Sequence, residues 1–269
     1  KIQSGERFKD ILRDCLYKDF EFYMKNIDKY NHREYVKLVD SKNKTLKAVG
    51  SLCARKNDEN KRIFTANPQI HGIINFNLDA LLGAYTTAKY RKRVLRTVER
   101  ASAGRLQDKI NVYHIHGFLR FDLRRDLEHE SSDKIILGED EYYALFNNPS
   151  IIFNYTFLYL LREYSILFIG LSMQDINLRR HLYLSKKEIM DGYKDESVSK
   201  AKLERKMHSR INKHFAILKE TGHLTSKEYH EQTLNNLGVN VIWVEEYDEI
   251  QDILREVYST DGADWNDVF

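Results

Sequence analysis

The sequence has few residues that crosslink a chain or interrupt its regular structure. Only two cysteines, Cys15 and Cys53, occur among 269 residues, and no Cys-x-x-Cys pair is present, which excludes a disulfide framework. Both prolines, Pro68 and Pro149, follow asparagine, and each such pair marks a loop or a helix boundary. No apolar run exceeds the length of a strand, and residues 1–10 do not resemble a signal peptide. We therefore expect a cytoplasmic protein without a membrane span.

An excess of charge of one sign is also absent. The chain carries 43 basic and 40 acidic residues, a net charge of +3, so bulk electrostatics call for neither nucleic acid nor a membrane as partner. The densest basic tract runs from Lys89 to Arg105. We interpret it as a solvated helix face rather than a nucleic-acid surface, because aromatic residues that could stack on bases are scarce there. Docking of a partner subunit is an open alternative for this tract.

The pattern of apolar residues predicts the fold class. Apolar residues make up 42% of the chain, which is enough for a sizeable core. Short apolar runs alternate with segments of helical periodicity, a pattern typical of crossover connections and a mainly parallel sheet. We predict one Rossmann-like α/β domain with flanking helices over residues 1–260, followed by a tail at 261–269. Helical segments at about 8–56 and 186–210 would form a smaller helical lobe.

Two strand-like segments end abruptly in polar residues. Residues 72–76 form an apolar run that precedes Asn77 and Asp79, and residues 111–115 precede His116. Ligands of open α/β sheets bind at the carboxyl ends of the strands. We therefore expect Asn77 and His116 to lie at one edge of the sheet. The alternative is that Asn77 or Asp79 only caps the helix that follows.

A third segment of this kind follows later in the chain. The apolar strand at 166–169 runs into Gly170, where a missing side chain lets a ligand approach the backbone. Ser172 follows and could either bind a ligand or be structural. Asp175 is interpreted as the cap of the next helix rather than as a catalytic residue. His214 begins a later strand, at the end opposite the proposed site, and is interpreted as structural.

Taken in order, the three segments resemble the sirtuin-like NAD-hydrolysing domains of bacterial anti-phage defence proteins. The family has a strand ending in Asn-x-Asp before a Leu-Leu pair, here Asn77 and Asp79, and later a strand ending in His-Gly, here at His116. It closes with Gly-x-Ser-x-x-Asp-x-Asn-Leu, which begins here at Gly170. The resemblance covers about residues 19–258. The family's glycine-rich turn near the cofactor phosphates has no counterpart, and we expect it to be missing from the sequence shown.

The resemblance implies hydrolysis of NAD, as substrate, to nicotinamide and ADP-ribose. Cleavage of this bond develops positive charge on the ribose, so the site mainly has to position ribose and water. In the family's pattern Asn77 holds water or ribose hydroxyls and His116 acts as general base. Asp79, Gly170 and Ser172 are the residues implied for binding NAD.

Competing functions are a protein deacylase, a non-catalytic NAD or ADP-ribose sensor and a purely structural subunit. A deacylase of this family needs a zinc module with four cysteines, which two cysteines cannot build. His114 and His116 would share one face of a strand but offer no closed four-ligand site, so we expect no zinc. A sensor would have little use for both Asn77 and His116. The resemblance also implies a homo-oligomer and a partner sensor or ATPase subunit.

Overall fold

The computed structural model describes residues 2–18, 32–56, 63–98, 108–119, 135–136, 152–194, 211–220 and 224–259. The chain forms two compact units. The first unit consists of Lys1–Tyr142 with Gln251–Phe269, and the second unit is Tyr143–Ile250. Within the ranges given above, no helix is both long enough and apolar enough to cross a bilayer.

In the first unit, three described helices precede the first strand, and a fourth lies between two strands. Its described elements are α1 (Ile2–Tyr17), α2 (His32–Lys42), α3 (Lys44–Leu52), β1 (Ala54–Lys56), β2 (Phe64–Ala66), β3 (Ile73–Asn75), α4 (Leu81–Tyr90), β4 (Leu95–Val98) and β5 (Ile110–His114). The short α3 begins at a polar cap, because the Asn43 side chain accepts the backbone N–H of Leu46 at 2.8 Å. β1 and β2 pair antiparallel as a separate two-stranded sheet.

The remaining strands of the first unit form a parallel sheet in the order β3-β5-β4. β5 is central, and its successive residues Ile110, Asn111 and Val112 are all buried, as expected for a strand covered on both faces. Asn75 pairs with His114, and these are the last residues of β3 and β5. The two strands therefore end at the same level, and the loops that follow them start side by side.

Among its described residues, the first unit has two groups of buried apolar side chains. One joins residues of α1, α2 and α4 to loop residues near the sheet: Tyr17, Tyr35, Val39, Tyr85, Ala88, Leu119 and Ile135. The other lies around the start of the strands and contains Cys53, Ala54, Tyr90, Val94 and Ile110. Burial raises the pKa of the Cys53 thiol to about 12, and both cysteines are free. Cys53 therefore acts as a small apolar core residue.

The second unit has a parallel sheet of its own, in the order β6-β7-β8. Its described elements are α5 (Ile152–Glu163), β6 (Leu167–Ile169), α6 (Ile176–Lys194), β7 (His214–Lys219), α7 (Leu224–Asn235), β8 (Val239–Val244) and a 3₁₀ turn at Tyr247–Glu249. A last helix, α8 (Ile250–Ser259), begins at the last residue of the second unit, and its other residues belong to the first unit. Its residues Ile250 and Leu254 are buried. His214 starts β7 and is structural as predicted, because its Nδ1 accepts the backbone N–H of Ile166 at 3.2 Å.

These elements confirm a Rossmann-like α/β fold with mainly parallel sheets and flanking helices. Residues 8–56 are largely helical where they are described, but β1 (Ala54–Lys56) ends that segment as a strand. Of the helical segment predicted at 186–210, residues 186–194 continue α6 and residues 195–210 lie outside the described residues. The tail at 261–269 also lies outside them. The single domain over 1–260 stays a prediction.

The prediction of one solvated helix face across the basic tract is wrong. α4 ends at Tyr90, and Arg91 takes a left-handed conformation with φ +54°. Arg96 then lies within the strand β4. Lys89 is partly buried, which lowers the pKa of its ammonium group to about 8. Residues 99–107 lie outside the described residues.

Candidate functional site

The loop after β3 is shaped by an asparagine that precedes the predicted site residue. Asn75 ends the strand, and its side-chain Oδ1 accepts the backbone N–H of Asn77 at 2.9 Å. This short-range bond is an Asx turn, which bends the chain away from the sheet. Asn77 is exposed. Sequence reasoning assigned no role to Asn75, although an asparagine two residues before a turn is a known local signal.

The loop after β5 turns within three residues. The strand ends at His114, His116 lies in the turn, and the Gly117 N–H donates to the His114 carbonyl at 3.4 Å. Gly117 has φ +100°, a conformation that glycine reaches without a steric penalty. The His116 carbonyl accepts the N–H of Ile136 at 2.9 Å. The glycine of the predicted His-Gly pair is therefore required by the turn itself.

The structure brings the segments that carry Asn77 and His116 together. The N–H of Ile115 donates to the Asn75 carbonyl at 3.3 Å, and the rings of Phe76 and His116 meet edge to face with centroids 5.5 Å apart. Both segments leave the carboxyl ends of adjacent parallel strands. This is the edge at which the sequence predicted them, and it is the edge where open α/β sheets bind ligands.

His114 joins the two loops through its imidazole ring. The side chain is 5% exposed, and its Nδ1 lies 3.3 Å from the Asn77 carbonyl. A carbonyl can only accept, so Nδ1 carries the proton of this bond. Burial lowers the pKa of His114 to about 4, opposed by the bond to Asn77, so the ring is neutral near pH 7. The ring also packs against Phe118, with centroids 4.5 Å apart.

The prediction that His114 and His116 share one face of a strand is wrong. The strand ends at His114, and the chain turns before His116, so the two residues do not occupy alternate positions of one strand. Among the residues that the structure describes, no group of three or more His, Cys, Asp or Glu side chains could hold a metal ion. The expectation that zinc is not bound stays a prediction.

Asp79 takes part in starting helix α4. Its Oδ1 accepts the N–H of Leu81 at 3.0 Å, whereas Ala80, the cap position, offers no side-chain bond. Burial raises the pKa of the Asp79 carboxyl, and hydrogen bonds from the backbone N–H groups of Leu81 and Asp79 oppose that shift. The hydrogen bond from Leu81 therefore supports the alternative that Asp79 caps the following helix. The role of Asp79 in binding NAD stays a prediction.

Tyr17 contacts both loops, and sequence reasoning missed it. The Tyr17 hydroxyl donates to the Leu119 carbonyl at 2.6 Å and accepts the Ala80 N–H at 2.7 Å. These partners lie 102 and 63 residues further along the chain. Within the sequence, Tyr17 is only one more large residue on an amphipathic helix, so no local signal pointed to it.

Gly170 and Ser172 lie in the second unit, whereas Asn77, Asp79 and His116 lie in the first. Gly170 follows β6 with φ +70°, and no atom of the described structure lies within 4 Å of the position that a Cβ would take. The backbone conformation therefore requires glycine here, and packing within this unit does not. Ser172 is exposed, and its Oγ accepts the N–H of Gln174 at 3.4 Å.

Two further residues define the same loop of the second unit. Met173 has φ +59° although it is not glycine, and it is 3% exposed. A buried non-glycine residue in this region marks backbone strain, which is often found at functional loops. Asp175 then accepts the N–H of Leu178 at 2.7 Å, which confirms its predicted role as the cap of α6.

The described fold and the residues at its strand ends define a Rossmann-like α/β protein with a candidate ligand site at the carboxyl edge of a parallel sheet. The model of the SIR2-like domain family matches residues 71–242, which is more than half of the 269 residues. The chain therefore belongs to the SIR2-like domain family. This family includes NAD-dependent enzymes, which connects the chain with NAD. A comparison with curated proteins found no match.

The matched region contains all five predicted site residues: Asn77, Asp79, His116, Gly170 and Ser172. It begins two residues before β3 and ends within β8. Helices α1, α2 and α3 precede it. Tyr17 therefore reaches the candidate site from a part of the chain that the family model does not cover.

Proposed function

We propose that this protein hydrolyses NAD to nicotinamide and ADP-ribose. The observation that supports this most is the meeting of the Asn77 and His116 loops at the ends of paired strands, in a chain of a family that includes NAD-dependent enzymes. An amide and an imidazole at one sheet edge are the groups that such a reaction can use. A single catalytic loop would not need this convergence.

The chemistry asks for positioning more than for strong acids or bases. As the bond between nicotinamide and ribose breaks, positive charge develops on the sugar, and nicotinamide leaves as a neutral molecule. In our proposal the exposed Asn77 amide holds the attacking water or the ribose hydroxyls, and His116 accepts a proton from one of them. Asp79, Gly170 and Ser172 are proposed to bind NAD.

The wider role is part of the same proposal. We propose that the enzyme acts in the cytoplasm as the NAD-depleting effector of an anti-phage defence system, as a homo-oligomer and together with a partner sensor or ATPase subunit. These features rest on the resemblance of the three motifs. A non-catalytic NAD or ADP-ribose sensor is the alternative, and a deacylase has less support because the chain has only two cysteines.

The test compares nicotinamide release by purified full-length protein with that of two variants, Asn77→Ala and His116→Ala. Loss of a general base typically lowers a rate by about two to four orders of magnitude. His71→Ala is the matched control, because His71 is an exposed histidine that precedes β3 in the same unit. Circular dichroism and thermal unfolding establish that each variant is folded.

We expect both site variants to lose nicotinamide release while the His71→Ala protein keeps it. A folded His116→Ala protein with the unmodified rate would remove His116 from the mechanism. If the unmodified protein binds NAD in calorimetry but releases no nicotinamide, even with its partner and trigger present, the sensor alternative replaces the hydrolase.

A further inference from the structure

The Tyr17 hydroxyl completes a closed set of hydrogen bonds between the two loops of the candidate site. Leu119, from the loop after β5, donates its N–H to the Leu78 carbonyl of the loop after β3 at 2.7 Å. The carbonyl of the same Leu119 accepts the Tyr17 hydroxyl, and that hydroxyl accepts the N–H of Ala80. These three hydrogen bonds connect Leu78 to Leu119, Leu119 to Tyr17, and Tyr17 to Ala80. The series therefore starts and ends in the loop after β3, at two residues that only Asp79 separates.

The bonded groups lie next to the predicted site residues. Leu78 follows Asn77 directly, Ala80 follows Asp79, and Leu119 comes three residues after His116. A shift of either bonded segment would be transmitted to Asn77 or to His116 through one to three backbone units. The hydroxyl is thus placed where it fixes the separation of the two loops.

The environment of Tyr17 keeps the hydroxyl in the form that these bonds need. Tyr17 is 1% exposed and packs in a core cluster with Tyr35, Val39 and Tyr85. Burial raises the pKa of the Tyr17 hydroxyl, which is therefore protonated at any physiological pH. Only a neutral hydroxyl can donate one bond and accept another.

We propose that Tyr17 is a positioning residue of the site, and that its hydroxyl, supplied by helix α1, holds the Asn77 loop and the His116 loop at the separation needed for catalysis. This inference rests on the proposed NAD hydrolysis. It adds that part of the site's framework comes from a helix outside the region matched by the family model. Tyr17 itself contacts the loops and not the reacting atoms.

A purely structural role predicts a different behaviour. If Tyr17 only filled the core, loss of its hydroxyl would lower the free energy of unfolding, and the folded fraction would retain normal turnover. A positioning role predicts that the folded protein turns over slowly, because a displacement of about 1 Å between catalytic groups can reduce a rate about a hundredfold. The two roles are separated by kcat of the folded protein.

The test uses Tyr17→Phe in the full-length protein, which retains the ring and removes the hydroxyl. Tyr85→Phe is the matched control, because Tyr85 belongs to the same core cluster and donates to the Asp40 carboxylate at 2.7 Å, a partner outside both loops. For each protein, kcat and KM of nicotinamide release are measured well below the unfolding temperature. Hydrogen exchange is followed in peptides covering residues 76–81 and 115–119.

We expect Tyr17→Phe to lower kcat about ten- to a hundredfold with KM changed less than about threefold, because groups that act in the transition state are displaced. We also expect faster exchange of the Ala80 and Leu119 amides in Tyr17→Phe, and neither effect in Tyr85→Phe. Equal kcat in the two variants would overturn the proposal, and so would unchanged exchange in both peptides.

The exchange measurement keeps this inference distinct from the proposed function. If the unmodified protein releases no nicotinamide, the proposed hydrolysis fails, and with it the catalytic half of the inference. Faster exchange of both loops in Tyr17→Phe alone would still support the hydroxyl as the connection between the loops. Unchanged exchange would overturn that connection as well.

Discussion

The buried His114 is expected to make the stability of the protein depend on pH. Its ring is 5% exposed, and burial lowers its pKa from 6.5 to about 4 in the folded state. Between these two values the unfolded chain binds a proton that the folded chain does not. The free energy of unfolding therefore falls as the pH decreases from about 6.5 towards about 4. The stability that the neutral, buried ring contributes is fully present only above the pKa of the unfolded state.

The size of the effect follows from the two pKa values. At about pH 7.5 the ring is neutral in both states, so its titration changes the free energy of unfolding by almost nothing. At about pH 5 the unfolded histidine is almost fully protonated while the folded one is mostly neutral, which lowers the free energy of unfolding by about 2 kcal/mol. The full shift corresponds to about 3 kcal/mol, reached below the folded pKa.

His114→Asn isolates this contribution. The asparagine amide can still donate to the Asn77 carbonyl, but it does not titrate. Urea unfolding of both proteins, followed by circular dichroism, gives the free energy of unfolding at each pH. We expect the variant to be less stable at about pH 7.5, and we expect the gap to the unmodified protein to shrink by about 2 kcal/mol at about pH 5.

Taking the difference between two proteins at each pH removes the contributions of other titrating groups. His214 is one of them, since its pKa is also lowered to about 4 by burial. His214→Gln provides a second comparison. This variant removes an imidazole whose Nδ1 accepts the N–H of Ile166, whereas the imidazole of His114 donates its bond. A gap between unmodified and His114→Asn protein that stays constant from about pH 7.5 to about pH 5 would refute the neutral buried state of His114.

Three stability predictions concern single positions and can be checked by urea unfolding. Gly238→Ala should lower the free energy of unfolding by more than about 1 kcal/mol, because φ is +82° and a Cβ would meet the Ile211 carbonyl oxygen at 2.5 Å. Gly83→Ala, in α4 with nothing within 4 Å of the new Cβ, should raise it by about 0.5–1 kcal/mol. Asp175→Ala should lower the free energy of unfolding by about 1 kcal/mol, because the α6 cap is lost, whereas Asp175→Asn should keep most of the stability that the cap contributes. Equal effects of the two glycine variants, or equal effects of the two Asp175 variants, would contradict these explanations.

The position of the candidate site was predictable because its signal is local. An apolar run of strand length that ends in Asn77 or His116 contains both the strand and its exit in a few residues. Placing the two strand ends together needed one further rule, that ligands of open α/β sheets bind at the edge formed by the carboxyl ends of the strands. The observed register of Asn75 with His114 places both strand ends at that edge. The cap at Asp175 was predictable for the same reason, since its partner Leu178 is three residues away.

The end of α4 was not predictable because its usual signal is missing. Helices commonly stop at a glycine in the left-handed conformation, but here Arg91 occupies that position with φ +54°. A non-glycine residue adopts this conformation at a steric cost, so the local sequence gives no signal for the end of the helix. The basic side chains that follow then obscured β4, in which Arg96 interrupts the apolar residues. A run of similar charge was therefore assigned to one helix face, whereas α4 ends at Tyr90 and β4 follows at Leu95.

Tyr17 shows a different limit of sequence reasoning. The helical spacing around it predicts a residue that faces the core, and its ring does pack there. The function proposed for Tyr17 depends instead on its hydroxyl, whose partners are the backbone N–H of Ala80 and the backbone carbonyl of Leu119. Every residue except proline presents the same two backbone groups, so neither partner has a side-chain type that a motif could record. Contacts of this kind are specified by the tyrosine alone, and only the fold reveals which loops it joins.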